Sequence, residues 1–121
     1  IGEAGFSLFD HTEIDVVKPE GGFYMFPVLK LNKTKLNIKS SAEFCRLLLN
    51  KTGVASLAGS DFNRDKNEIS CRLAYVNFDG GEALKVSESI GKTRTLTIDD
   101  LQIVCKDLMK GLNKLMDFCL N

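Results

Sequence analysis

The chain has 121 residues, of which 44% are hydrophobic, and its 16 basic and 16 acidic side chains cancel in charge. This length suits one domain with a single core. The balanced charge argues against a basic surface for nucleic acid or anionic lipid. No apolar stretch approaches the roughly 20 residues that a membrane-spanning helix needs. We therefore expect a globular domain with no nucleic-acid partner and no membrane partner.

The first part of the chain predicts two antiparallel strands. Residues 1–13 mix glycine, acidic and aromatic residues without a regular period. Residues 14–18 and 22–26 read as short strands joined by a Pro-Glu-Gly-Gly turn, since proline suits the first turn position and glycine tolerates positive φ. Pro27 should then end the second strand or leave it at a sheet edge.

The middle of the chain predicts a helix between two loops and two further strands. Residues 29–39 are polar and indicate a loop. The Ser-Ser-Ala-Glu stretch from Ser40 to Glu43 fits a capping box, and Phe44 begins an apolar helical pattern that should end at Gly53, so we expect a helix over residues 41–51. A short buried strand at 54–57, a loop at 58–68 and a strand at 69–76 should follow.

Two capping residues predict the C-terminal helices. Asp79 suits the start of a helix that runs to about residue 89, and Thr97 suits the start of the last helix. Apolar residues at steps of three and four indicate that this last helix is one long amphipathic helix: Leu101, Val104, Leu108, Leu112, Leu115 and Cys119. The order β-β-α-β-β-α-α predicts an α+β fold, a small and mostly antiparallel sheet covered by helices on one face as a two-layer sandwich.

Arg72 is the unusual residue, because it interrupts the apolar strand predicted at 69–76. A guanidinium is charged at every accessible pH and is rarely buried without a partner. The residues alone leave two interpretations open. Arg72 pairs with an acidic neighbour such as Glu68 or Asp79, or its planar donors bind a carboxylate or phosphate of a ligand.

Other reactive residues give weaker signals. His11 is the single histidine of the sequence, and no cysteine lies near it in the chain. It is therefore a weak candidate for a metal ligand or a general base. Residues 86–93 resemble a phosphate-binding loop, but Val86 stands where its first glycine must be. The cysteines are far apart with no C-x-x-C, so we expect no metal site and free thiols, mostly buried, in a reducing compartment: Cys45, Cys71, Cys105 and Cys119.

Four stretches in series carry a family resemblance over about residues 14–120. They are KPEGGFYMFP at 18–27, FCRLLLNKTGVASLAGSDF at 44–62, CRLAYVNFDGGEAL at 71–84 and VCKDLMKGLNKLMDF at 104–118. Their order and spacing resemble the C-terminal small domain of a fold-type I, pyridoxal-phosphate-dependent aminotransferase of the aspartate/alanine aminotransferase kind, class I/II.

The resemblance implies roles for individual residues. Arg72 matches the family arginine that binds the substrate α-carboxylate with two hydrogen bonds, and Phe26 matches a strand residue near the substrate and the cofactor. Gly59 and Phe62 match loop positions that look structural. Ala58 stands where the family usually has proline, which should relax this loop.

The resemblance also implies that residues 1–121 form a single domain that is a fragment of a longer chain. The family's Schiff-base lysine and cofactor-binding residues lie in a preceding large domain, and Lys92 stands in the wrong order to be that lysine. This chain should therefore hold no catalytic and no cofactor-binding residue, and it should be inactive alone.

The parent protein implied by the resemblance is an enzyme of amino-acid metabolism. It would use pyridoxal phosphate to transfer an amino group between an amino acid and a 2-oxo acid, as a homodimer, in the cytoplasm, with mitochondria left open. An alternative also stays open, in which the chain is a stand-alone α+β regulatory module that binds a small carboxylate at Arg72 without catalysis.

Overall fold

The structure, a computed structural model, describes residues 1–30 and 37–120. The predicted loop at 29–39 therefore lies mostly outside the described residues. The helices are α1 Gly2–Ser7, α2 Ser41–Thr52, α3 Gly80–Ile90, α4 Ile98–Val104 and α5 Lys106–Leu120. The strands are β1 Ile14–Asp15, β2 Tyr24–Met25, β3 Val28–Leu29, β4 Leu57–Ala58 and β5 Ile69–Ala74. The predicted α+β fold with a small antiparallel sheet is confirmed.

Strand β5 is the centre of the sheet. β2 and β3 pair with one edge of β5, with Met25 opposite Leu73 and Val28 opposite Ser70. β4 pairs with the other edge, where Leu57 lies opposite Arg72. β1 pairs with β3 on the outer side, and every pairing is antiparallel. All the other strands are therefore held to β5 directly or through β3.

Pro27 divides one strand into β2 and β3. The Cys71 N–H donates a hydrogen bond to the Pro27 carbonyl at 3.1 Å, but proline has no N–H to return the second bond of the pair. The strand nevertheless resumes at Val28, with β1 beyond it. The prediction that Pro27 ends the second strand is confirmed for β2, which ends at Met25, but the resumption of pairing with β5 in β3 was not predicted.

The predicted strands at 14–18 and 54–57 are shorter in the structure. β1 pairs only at Ile14 and Asp15, at the end remote from the glycine turn, and Val17 is exposed. Only Leu57 of residues 54–57 lies in β4, and its side chain is 48% exposed. The prediction of a buried strand at 54–57 was wrong, because Leu57 projects from the open face of the sheet.

Capping interactions at the helix ends explain why the predicted bounds of α2 and α3 agree with the structure. The Ser40 side chain accepts a hydrogen bond from the Glu43 N–H at 3.1 Å, and Gly53 ends α2 at a φ of 78°. The Asp79 side chain accepts from the Glu82 N–H at the start of α3. Both predicted helices are confirmed to within one or two residues, because these signals lie close to the ends they specify.

The predicted last helix is two helices. The capping box at Thr97 and Asp100 is present, but Cys105 has φ −121° and ψ 49°, which separates α4 from α5. α4 packs against α1 and α3, whereas α5 packs against α2. One straight helix could not pack against α1 and α3 at one end and against α2 at the other. The prediction of a single long helix was therefore wrong. The predicted buried face is otherwise confirmed, with Val104 half-buried: Leu101, Leu108, Leu112, Leu115 and Cys119.

Helix α1 was not expected from the pattern of residues 1–13. It has no side-chain N-cap, but it buries Ala4 and Gly5. A Cβ at Gly5 would lie 3.0 Å from the Met25 Cε, so the helix packs closely on β2. Packing against the rest of the chain therefore stabilises a helix that is too short to form by itself.

The turn of 3₁₀ helix at Gly59–Phe62 joins β4 to the loop before β5. Gly59 is buried against Ser70, and a Cβ at this position would overlap the Ser70 hydroxyl. Ser70 is itself fully buried, so its side chain has no open space to move into. Gly59 therefore sets how closely this turn approaches β5.

We predict that Gly59→Ala lowers the free energy of unfolding by about 1–3 kcal/mol, because the new methyl group overpacks this contact. Urea denaturation of the purified chain measures the change. Gly111→Ala is the matched control, since nothing lies within 4 Å of its added Cβ in α5, and it should be neutral or stabilising. Adding Ser70→Ala to Gly59→Ala should restore part of the loss, and no restoration would contradict this explanation.

Candidate functional site

Arg72 lies near the middle of β5, on the face of the sheet that the helices leave open. Its neighbours Cys71 and Leu73 point into the core and are buried, whereas the Arg72 side chain is half-buried on the opposite face. Both edges of β5 are paired at this level of the sheet. The arginine is therefore carried by a rigid part of the backbone, which favours a fixed binding geometry.

Two aromatic rings hold the guanidinium of Arg72. Its Cζ lies 4.2 Å from the centroid of the Tyr24 ring and 4.4 Å from that of the Phe62 ring. Such cation–π contacts attract the guanidinium electrostatically without neutralising its charge. The rings therefore restrict where Arg72 can lie and leave its positive charge available.

The acidic neighbours of Arg72 have other partners. Glu68 accepts two hydrogen bonds from Arg64, at 2.9 Å and 2.7 Å. Asp79 accepts from the Glu82 N–H at 3.1 Å. Within residues 1–30 and 37–120, no carboxylate forms an ion pair with Arg72. The interpretation in which Arg72 pairs with Glu68 or Asp79 was therefore wrong, because the Glu68 carboxylate binds Arg64 and the Asp79 carboxylate caps α3.

Phe26 lies beside Arg72 on the same face. The registers that put Met25 opposite Leu73 and Val28 opposite Ser70 place Phe26 opposite Arg72. Phe26 also meets the Phe62 ring edge-on, with the ring centroids 5.8 Å apart and the planes at 87°. The structure thus brings together the two residues that the sequence singled out for substrate binding.

Tyr24 was missed by the sequence reasoning, and Phe62 was given only a structural role. The signal for Tyr24 was available, because residues two apart in a strand share a face and Phe26 had already been singled out. Phe62 gave no such signal, since it belongs to a turn remote in sequence from both Tyr24 and Arg72. We define the cationic-aromatic site as Tyr24, Phe26, Phe62 and Arg72.

Arg64 places a second guanidinium at the border of this site. Its Cζ lies 5.8 Å from the Phe26 ring centroid, and its ion pair with Glu68 fixes it there. Hydrogen bonds from Arg64 hold the pKa of the Glu68 carboxyl below its usual value, although partial burial acts in the opposite direction. The site therefore has one paired arginine and one without a carboxylate partner among the described residues.

The remaining candidates from the sequence lie apart from this site or serve the fold. His11 is exposed in a turn at a φ of 62°, and Lys92 is exposed after α3. Gly91, within the loop-like stretch 86–93, provides the C-cap of α3. No group of three or more potential metal ligands occurs in the part of the chain that the structure describes. None of the helices among those residues is long and apolar enough to cross a membrane.

The predicted free thiols are confirmed. Cys71, Cys105 and Cys119 are buried, Cys45 is half-buried, and none of the four forms a disulfide. Burial raises the pKa of Cys119 to about 12 and also raises that of Cys105. These two thiols therefore stay protonated, as expected for cysteines that only fill the core.

The described residues do not fit a site for pyridoxal phosphate. A Schiff-base lysine is activated by desolvation or by a neighbouring cation. Every lysine among residues 1–30 and 37–120 is exposed, and Lys18 and Lys30 form surface ion pairs with Glu3 and Asp15. No covalent step through this cofactor follows from the residues described here.

The fold and the site define a small α+β domain that presents an arginine between aromatic rings on the open face of an antiparallel sheet. The chain is 42% identical over 61 residues to an asparagine–oxo-acid transaminase of Streptococcus mutans, covering 50% of this chain and 15% of that protein. It is 41% identical over 69 residues to an aspartate aminotransferase of Bacillus subtilis, covering 57% and 17%. No family model matches the chain.

These similarities show that the chain contains an aminotransferase-related domain, and that its relatives are transferases. The match spans about one-sixth of the length of these two curated relatives.

We predict that Glu68→Gln lowers the urea midpoint of unfolding at neutral pH, because it removes the charge that pairs with Arg64. Folding lowers the pKa of Glu68, so its ion pair stabilises the folded chain fully above pH 4.5, the ordinary pKa of a glutamate. This stabilisation is lost as the pH falls through the pKa that Glu68 has in the folded chain. The midpoints of Glu68→Gln and the unaltered chain should therefore converge below pH 4.5. Glu20→Gln, at an exposed turn position, is the control. A difference that stays constant with pH would contradict this role for the ion pair.

Proposed function

We propose that this chain is the C-terminal small domain of a pyridoxal-phosphate-dependent aminotransferase and that Arg72 binds the α-carboxylate of its substrates. One observation carries the proposal: the Arg72 guanidinium lies between Tyr24 and Phe62 with no carboxylate partner among the described residues. The names of the two relatives support the reaction class, since both are aminotransferases.

Arg72 suits a carboxylate because of its geometry as well as its charge. A guanidinium can donate two parallel hydrogen bonds to the two oxygens of one carboxylate. An amino acid and a 2-oxo acid both carry this group next to the reacting carbon. The same arginine therefore serves both halves of an amino-group transfer, and by fixing the carboxylate it orients the bonds at the α-carbon.

Phe26 and Phe62 would act on the surroundings of that ion pair. The Phe62 ring lies beside the Arg72 guanidinium and the Phe26 ring packs edge-on against Phe62, so the two rings would limit the access of water. A carboxylate bound in such a place interacts more strongly with the arginine than it would in bulk water. We therefore assign Phe26 a substrate-binding role through packing rather than through any proton transfer.

The rest of the proposal concerns the parent enzyme. We place its pyridoxal phosphate, which acts as an electron sink when bound, outside the residues described here. We propose that the enzyme works as a homodimer on amino-acid and 2-oxo-acid substrates. We place it in the cytoplasm, a reducing compartment in which free cysteines such as its four are usual.

We predict that Arg72→Lys in the complete enzyme lowers kcat/KM for amino acids by roughly 10- to 1000-fold. Lysine keeps the charge but loses the two-bond geometry, and each charged hydrogen bond contributes about 1.5–3 kcal/mol. Steady-state kinetics, with cofactor binding measured by absorbance, gives both quantities. Cofactor binding should be unchanged, and Arg46→Lys on the exposed surface of α2 should leave kcat/KM unchanged. Near-normal kinetics for Arg72→Lys would overturn the proposed carboxylate site.

We also predict that the isolated 121-residue chain forms no stoichiometric aldimine with added pyridoxal phosphate, because its described lysines are exposed. Absorbance titration followed by borohydride reduction and mass spectrometry measures any lysine adduct. Low and distributed labelling of surface lysines is the expected result. A saturable adduct at one lysine would contradict the assignment of the cofactor site to another part of the enzyme.

A further inference from the structure

Cys45 packs against the buried core cluster that contains Cys71, and the two thiols interact through a side-chain hydrogen bond that the proposed aminotransferase function does not use. Cys45 lies on α2, Cys71 lies on β5 beside Arg72, and α2 packs against β5. The Ser56 hydroxyl, just before β4, donates a hydrogen bond to the Cys45 sulfur at 3.2 Å. Cys45 is half-buried whereas Cys71 is fully buried, so the two sulfurs differ in their access to solvent.

The surroundings of the two thiols favour different protonation states. Hydrogen bonds from Cys71 and Ser56 lower the pKa of Cys45 to about 7, although burial and the nearby Asp61 carboxylate act in the opposite direction. The interaction with Cys45, together with burial, raises the pKa of Cys71, and Cys119 on α5 adds to this effect. Cys45 is therefore the more acidic of the two thiols, and Cys71 is the one that keeps its proton.

We propose that Cys45 and Cys71 form a dithiol site that hydrogen peroxide oxidises to a disulfide, with Cys45 as the attacking sulfur and Cys71 as the resolving sulfur. The Cys45 thiolate attacks one peroxide oxygen, the O–O bond breaks, and the products are a sulfenic acid at Cys45 and hydroxide, which takes up a proton to become water. The Cys71 sulfur then attacks the Cys45 sulfur, forming the S–S bond. The departing hydroxide takes the Cys71 proton as a second water. Two thiols are oxidised and one peroxide is reduced to two waters.

The position of the pair distinguishes it from the other cysteines and gives the oxidation a structural consequence. Cys105 and Cys119 are buried thiols with raised pKa values, so they are poor nucleophiles. A disulfide between Cys45 and Cys71 would join α2 covalently to β5 at the residue next to Arg72. Oxidation would thus act directly on the strand that carries the cationic-aromatic site.

Peroxide treatment of the reduced 121-residue chain tests the proposal by mass spectrometry. The unaltered chain should lose two hydrogens and yield a peptide cross-linked through Cys45 and Cys71. Cys71→Ala should instead accumulate a sulfenic acid at Cys45, trapped by a 1,3-diketone, and Cys45→Ala should leave Cys71 reduced. If Cys71→Ala does not fold, Cys71→Ser provides the same test. The control Cys105→Ala should form the cross-link as the unaltered chain does.

The pH dependence of alkylation tests the role of the surroundings separately. Iodoacetamide should modify Cys45 with a midpoint near pH 7, and Ser56→Ala should move that midpoint towards the ordinary thiol value of about 8.5. Ser60→Ala, at an exposed position in the neighbouring 3₁₀ turn, should not move this midpoint.

Two results would overturn the dithiol proposal: an alkylation midpoint of Cys45 at the ordinary thiol value, or a folded chain whose Cys45 stays reduced in peroxide. Neither result depends on aminotransferase activity, so the two proposals can fail independently.

Discussion

The pairing of β5 along both of its edges is the constraint on which the core and the candidate site depend. Each other strand is joined to β5 directly or through β3. Alternation along β5 sends Cys71 and Leu73 into the core and Arg72 to the open face. A shift of one residue in this register would bury the guanidinium and expose the apolar side chains, at a large cost in free energy. The same hydrogen bonds that stabilise the sheet therefore also fix the position of Arg72.

The distribution of charge around β5 matters as much as its geometry. Glu68 is occupied by Arg64 and Asp79 by the start of α3, so the fold satisfies its nearby carboxylates without Arg72. Aromatic rings then take the place of an acidic partner at Arg72. An arginine held in this way keeps its capacity to bind an anion from outside, which is the property that the proposed carboxylate site requires.

The two proposals concern opposite faces of one strand. The proposed carboxylate site uses Arg72 on the open face, whereas Cys71 interacts with Cys45 of α2 on the covered face. Because these residues are adjacent in the backbone, a change that displaces one affects the other. A thiol pair at this position is therefore better placed to influence the site than Cys105 or Cys119, which lie at the junction of α4 and α5 and within α5.

The sequence by itself determined the features that depend on residues close together in the chain. Ser40 and Gly53 delimit α2, Asp79 begins α3, and the apolar run around Arg72 identifies β5, because caps and alternation act over a few residues. The tertiary structure alone decided features that depend on distant residues. These are the helix α1 packed on β2, the break at Cys105, the continuation of the strand beyond Pro27, the rings of Tyr24 and Phe62 around Arg72, and the meeting of Cys45 with Cys71. Each results from packing between elements remote in sequence, which no local pattern records.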